Sequence, residues 1–91
     1  MTLEELSYEF LSYLEHIKNV SPNTVRGYGN DLELLKTFLT PSLEISSITK
    51  ENFLLCVGKL SREKKSAATI NRFLASVRAM FSYALKFNHL E

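Results

Sequence analysis

Four times along the chain, a Ser or Thr stands just before a run whose apolar side chains return every three or four positions. No other feature constrains the fold as much. A short hydroxyl side chain satisfies a free N–H of a first helical turn, and the spacing gathers the apolar residues on one face. Thr2 and Glu5 have the spacing of a capping box. Behind them Leu3, Leu6, Phe10, Tyr13, Leu14 and Ile17 predict a helix over roughly 3–18, with Glu4, Glu5, Glu9 and Glu15 on its other face. Ser21 followed by Pro22 predicts a helix over roughly 22–39, built on Val25, Tyr28, Leu32, Leu35 and Leu39 and ended by Thr40-Pro41. Thr49 opens a third over roughly 50–61, with Phe53, Cys56, Val57 and Leu60 facing inward. Ser66 opens a fourth over roughly 67–88, with Ile70, Phe73, Leu74, Val77, Met80, Phe81 and Ala84. This last helix is the longest and most apolar. It is expected at the centre, with Ile70, Leu74, Val77 and Phe81 among the most buried residues.

No sustained alternation or Asn-Gly or Asp-Gly turn signals a β-hairpin. The expected fold class is therefore all-α, a compact four-helix bundle forming one domain over residues 1–91. The connection 40–48 is expected to be pinned by Leu43, Ile45 and Ile48, and Ser61 to Lys65 to form a charged turn. No apolar run approaches the ~20 residues that span a bilayer, so no membrane partner is expected. The N-terminus lacks the basic-then-apolar order of a secretory signal. The single cysteine, Cys56, sits in an apolar stretch and reads as a buried free thiol in a reducing cytoplasm.

The residues that carry chemistry are sparse. His16 and His89 have no metal-ligand spacing, and no Gly-rich phosphate loop or nucleophile elbow is present. Nothing beside Tyr8, Tyr13, Tyr28 or Tyr83 in sequence would activate a phenol. The expectation is a chain with no catalytic residue, no metal and no cofactor.

The polar faces say more. Net charge is only +1, but residues 1–50 carry seven acids and four bases, whereas residues 51–91 carry three acids and seven bases. On a wheel of 100° per residue, Asn23, Arg26, Gly27 and Asn30 cluster opposite the apolar stripe of the second helix. An interior Gly costs about 1 kcal/mol relative to Ala, so the gap at Gly27 and Gly29 marks a place where another backbone, a DNA strand or a neighbouring helix, can approach closely. On the fourth helix Thr69, Arg72, Ser76 and Ala79 form a stripe of short side chains around one long cation, flanked by Ala68 and Ala75. A helix entering a DNA major groove needs such a face: small residues allow approach, hydroxyls bond phosphates, and Arg reaches base edges or phosphates. Arg62, Lys64 and Lys65 stand ready to hold a phosphate backbone, and the N-terminus at Ser66 adds free N–H groups. The plain alternative is a solvated, unevenly charged surface.

The order of these features resembles a known family. Ser21, Thr24, Tyr28 and Asp31-Leu32 fit the S-x-x-T-x-x-x-Y-x-x-D-L pattern of the core-binding domain of Xer-like tyrosine recombinases and phage integrases, with Phe38-Leu39 following. Ile48-Thr49-x-Glu51 resembles the start of that domain's next helix. Ala68-Thr69-Ile70-Asn71-Arg72, with Leu74, Val77-Arg78, Phe81 and Tyr83, is similar to its last. The resemblance implies a SAM-like bundle forming half of a clamp on duplex DNA. It also implies a separate C-terminal domain that cuts DNA with a tyrosine, assisted by arginines, histidines and a lysine. Those motifs are not in this sequence, and none of its tyrosines matches the nucleophile. The chain then reads as a DNA-binding, non-catalytic domain of a longer protein, with Leu90-Glu91 either at the start of the interdomain linker or a cloning scar. DNA-facing positions carried over on this basis are Thr24, Arg26, Gly27 and Asn30, then Ala68, Thr69, Arg72 and Ser76. Ala68 replaces a longer polar side chain and puts contact there in doubt. With Lys64, Lys65 and Ser66 these complete the expected DNA-binding set.

The implied partners are double-stranded DNA and other recombinase protomers assembled on it, with the isolated domain monomeric, weakly binding and cytoplasmic, at the nucleoid when on DNA. Two other readings remain open: a helical protein-interaction module presenting Leu34, Phe38, Leu55 and Phe87, and a small stand-alone DNA-binding regulator. Arg72, directed away from the core stripe, is expected to be free, so that Arg72→Ala weakens DNA binding and leaves stability nearly unchanged; the alternative is that it pairs with an acid on the bundle surface, so that affinity holds and stability changes by under about 1 kcal/mol.

Overall fold

The computed structural model describes residues 1–90; Glu91, half of the dipeptide read as a linker start or scar, lies outside the described residues. Among them are four α-helices: α1 (Leu3–His16), α2 (Pro22–Leu39), α3 (Lys50–Arg62) and α4 (Ala67–Lys86), with a 3-10 turn at Ile45–Ser47 before α3. No β-strand occurs among the described residues; an isolated bridge joins Thr2 and Glu44. The all-α bundle expected from sequence is thus the observed class.

All four expected caps form. Thr2, Ser21, Thr49 and Ser66 each accept from the backbone N–H three residues on, and the Glu5 carboxylate accepts in return from the Thr2 N–H. The 40–48 connection has a second task. The Leu43 and Pro41 carbonyls accept from Leu3 and Glu4, so the loop satisfies free N–H groups of α1. Ile45 is its buried anchor, while Leu43 and Ile48 are half-buried.

Helix ends differ from expectation where a non-glycine residue adopts positive φ. Asn88 at φ 63 closes α4 at Lys86, two residues early, with His89 N–H donating to the Ala84 carbonyl and Asn88 N–H to Leu85. Lys64 at φ 60 closes α3 in the same way. α1 stops at His16, which leaves Ile17 exposed rather than in the core.

Leu3, Leu6, Phe10 and Leu14 of α1 meet Leu32 and Leu35 of α2, Cys56 and Leu60 of α3, and Phe73, Val77, Met80 and Ala84 of α4. Each fully buried aliphatic or aromatic side chain contributes roughly 1.5–3 kcal/mol. α4 packs against all three other helices, as expected of a central helix, but so does α2. The expected burial of Ile70, Leu74 and Phe81 is corrected. They are half-buried, and α4 is turned so that Phe73, Ser76, Val77, Met80 and Tyr83 face inward. α3 covers the remaining apolar side incompletely, and Phe53, Leu74, Phe81 and Leu85 line an open groove of about 390 Å³.

Candidate nucleic-acid interface

α2 and α4, the two helices that touch all others, lie side by side. Between them is an open cleft of about 280 Å³ lined by Thr24, Gly27, Tyr28, Asp31, Arg72, Ala75 and Ser76. Four residues expected on the DNA-binding face, Thr24, Gly27, Arg72 and Ser76, come from opposite sides of the sequence to this one cleft. A Cβ at Gly27 would meet nothing within 4 Å. The gap is therefore real empty space, and nothing inside the domain requires it. Gly29 differs: a Cβ there would make ordinary contact with Leu11.

The floor of the cleft is a buried carboxylate. Asp31 is 4% exposed at its side chain. Arg72 Nε donates to its Oδ2 at 3.2 Å and Nη2 to its Oδ1 at 3.0 Å. Ser76 Oγ donates to Oδ2 at 2.7 Å. Arg72 and Ser76 sit one turn apart on α4, so one helix supplies both donors to an acid on the other. The Arg72 guanidinium is held above its ordinary pKa, first by the hydrogen bonds it donates to Asp31 and then by the carboxylate charge.

Two expectations are corrected here. Ser76 is buried and spends its hydroxyl on Asp31, so it is not a surface contact. Arg72 is not free: two of its donors are taken, although its side chain remains 62% exposed. Asp31 was not among the candidate site residues. The signal was present, since it falls between Tyr28 and Leu32 at the edge of the apolar stripe, where an acid needs a partner.

Apart from Thr24, the other candidates are not among the residues that line the cleft. Arg26 is exposed and donates to Asn23 Oδ1 at 2.9 Å. Asn30 is exposed. Thr24 is exposed and shares a 2.9 Å hydroxyl bond with Ser21. Ser66 caps α4 and donates to Thr69 Oγ1, which leaves the Thr69 hydroxyl hydrogen available. Lys64 and Lys65 are exposed in the turn before α4, with Arg62 in the last turn of α3. The structure does not place Lys64, Lys65 or Arg26 in the cleft lining.

The comparisons with known proteins fit this architecture. The family profile described as "Phage integrase, N-terminal SAM-like domain" matches residues 8–87. The chain belongs to this family. Curated relatives include "Tyrosine recombinase XerC" of Chlamydia caviae, 34% identical over 87% of this chain and 32% of the relative. "Putative tyrosine recombinase TTE1313" of Caldanaerobacter subterraneus is 32% identical over 88% of this chain and 28% of the relative. "Tyrosine recombinase XerD" of Staphylococcus haemolyticus is 27% identical over 92% and 29%. The chain thus spans about a third of the length of these relatives. No solved structure matches the chain.

The remaining chemistry-bearing residues lie elsewhere. Tyr83 is buried and donates to Glu9 Oε2 at 2.7 Å, and His89 Nε2 bonds the same oxygen. Burial first, and then the Glu9 bond and charge, push the Tyr83 phenol up to about 12. Such a phenol is poorly suited to act as a nucleophile. Glu9, expected on the outer face of α1, is therefore a tie to α4. Leu34 and Phe38 are half-buried rather than exposed, Phe38 beneath the Lys59 ammonium, while Leu55 and Phe87 are exposed. No helix is long and apolar enough to cross a membrane, and no cluster of metal-ligating residues occurs, among the described residues.

Proposed function

We propose that this chain binds duplex DNA through the α2–α4 face, as the non-catalytic half of a recombinase clamp. One observation carries the reading: Thr24, Gly27 and Arg72, chosen from the sequence for contact with DNA, line a single open cleft with an empty wall at Gly27. Lys64, Lys65 and Arg62 supply charge for the phosphate backbone before α4, while Arg26 and Asn30 of α2 and Ser66 and Thr69 at the start of α4 add polar contacts. The relatives, named as tyrosine recombinases, support recombination as the process served. Strand cleavage belongs to a separate catalytic domain, and this chain contributes binding in the cytoplasm, at the nucleoid. The test is a titration of duplex DNA at several salt concentrations. Affinity should fall linearly in log–log form with salt, and Lys64→Ala with Lys65→Ala should reduce the slope by about two units. A slope near zero contradicts the reading.

A second contact is favoured by the groove of Phe53, Leu74, Phe81 and Leu85, with Leu54 and Leu55 exposed nearby on α3. Its apolar lining suits a protein partner, and the family resemblance makes neighbouring protomers on DNA that partner. Cross-linking through a cysteine introduced at Leu85 tests it: a dimer should form only when DNA is present.

A further inference from the structure

We propose that Asp31 is a positioning residue: it grips Arg72 by its Nε/Nη2 edge, so that the neighbouring Nη1/Nη2 edge presents paired donors to adjacent acceptors on duplex DNA. The inference rests on the DNA-binding reading and deepens it. A guanidinium carries five N–H donors in a rigid plane. Asp31 takes one from Nε and one from Nη2 in a fork, which fixes that plane. The carboxylate is itself fixed by Ser76 and lies under the guanidinium, which remains largely exposed. Three N–H donors remain: two on Nη1 and one on Nη2. The second Nη1 hydrogen points back along the side chain, while the first and the one left on Nη2 form the end edge, next to the edge that faces Asp31. Such an edge fits two acceptors side by side, either O6 and N7 of a guanine or two oxygens of one phosphate.

The surroundings agree with a recognition role. The cleft walls carry Gly27 and Ala75, which keep side chains out of the approach, and Thr24 adds a hydroxyl. Asp31 also offsets much of the Arg72 charge at a distance. The pair therefore contributes directed hydrogen bonds more than net attraction, and the lysines of the preceding turn carry the attraction. A solvated surface ion pair would have both partners exposed and would hold neither in a fixed plane.

The experiment compares the native chain with Arg72→Lys, Asp31→Asn, Ser76→Ala and the Asp31→Asn/Arg72→Lys pair. The probe is a 30-base-pair duplex selected by the native chain from a random pool, and circular dichroism verifies folding at the temperature used. Lysine keeps the charge but lacks the fork; asparagine keeps the shape but can accept through only one oxygen. Each of these variants should weaken binding roughly tenfold, and the pair should be no weaker than Arg72→Lys alone. Ser76→Ala should weaken binding by a smaller factor. If Asp31→Asn does not fold, Arg72→Lys and Ser76→Ala carry the test, since Arg72 is exposed and alanine fits the Ser76 site. Loss confined to one base pair of the duplex identifies the guanine edge; loss equal across duplexes identifies phosphate. Native-like binding by Arg72→Lys overturns the proposal while leaving DNA binding intact. Failure of the native chain to bind any duplex removes the DNA reading and this inference with it.

Discussion

α4 is tied to its neighbours by a carboxylate at each end, and the two ties differ. Toward the N-terminal end, Asp31 of α2 is almost wholly buried and accepts from Arg72 and Ser76. Toward the C-terminal end, Glu9 of α1 is 41% exposed and bonds Tyr83 and His89. Tyr83 has one donor and spends it; Phe10, Tyr13 and Phe87 pack around its ring. Arg72 has five donors and spends two. One tie is closed and only holds helices together. The other holds helices together and still has hydrogen bonds to offer. The lesson is that an ion pair need not use up an arginine's donors: what matters is which partner is buried and how many donors remain.

Val77, between the two ties, gives the largest expected effect. It is buried, and Val77→Asp would place an unpaired carboxylate in the core shared by both ends, costing more than about 4 kcal/mol. The variant should show no cooperative melting transition by circular dichroism; a native melting temperature contradicts the packing of α4. The next test separates the ties. Arg72→Ala strips Asp31 of its charged partner and should cost about 2–3 kcal/mol, less than a fully enclosed broken pair because water enters where the guanidinium stood. Glu9→Gln should cost about 1 kcal/mol or less, since its carboxylate is already part-hydrated. Equal losses in urea denaturation would erase the distinction. With Asp31 as the buried partner of Arg72, Arg72→Ala is expected to cost stability, where the sequence alone led to an expectation of nearly none.

The closed tie has a pH signature. Tyr83 is more readily ionised unfolded than folded, so stability is intact below its ordinary value of 10 and declines as pH rises toward about 12. At the acid side, the Tyr83 bond, followed by the His89 bond, holds the Glu9 pKa down. Its contribution is present above the ordinary glutamate value and is lost as pH falls through the lowered one. Tyr83→Phe should flatten the alkaline limb relative to the native chain, a difference of about 1–2 kcal/mol at pH 12. Identical alkaline limbs would place the phenol in water.

The smallest effect concerns the open end. Gly27→Ala should raise stability by about 0.5–1 kcal/mol, because a helical Gly is replaced where space is free. It should weaken DNA binding, because the added methyl stands in the cleft. Stabilisation with unchanged binding would mean that nothing approaches that wall.

Much of this was legible in the sequence because the signals were local. Caps at Thr2, Ser21, Thr49 and Ser66 and the 3.6-residue period fixed four helices, and α2 has its expected bounds. Gly27 and Arg72 stood out on the wheels of two separate helices and Thr24 through the family resemblance, but that the three line one cleft is a property of the packing. Helix ends were less so: Asn88 and Lys64 take left-handed conformations that their identities only weakly favour. The Asp31–Arg72–Ser76 cluster was hidden because its partners are 41 and 45 residues apart, and wheel geometry orients each helix alone. Ser76 looked like a surface residue for the same reason. Its polarity was read as exposure, when it serves a buried acid.

The central claim is that the α2–α4 cleft is where duplex DNA binds. Backbone amide chemical shifts of the chain, followed while short duplex DNA is added at low salt, test it most directly. The account predicts concentration-dependent shifts at Thr24, Gly27, Asn30, Thr69 and Arg72 and in the Lys64–Ser66 turn, with Glu9 and Tyr83 unmoved. Shifts concentrated at Phe53, Leu74 and Leu85 with the cleft silent, or no shifts anywhere, would contradict it.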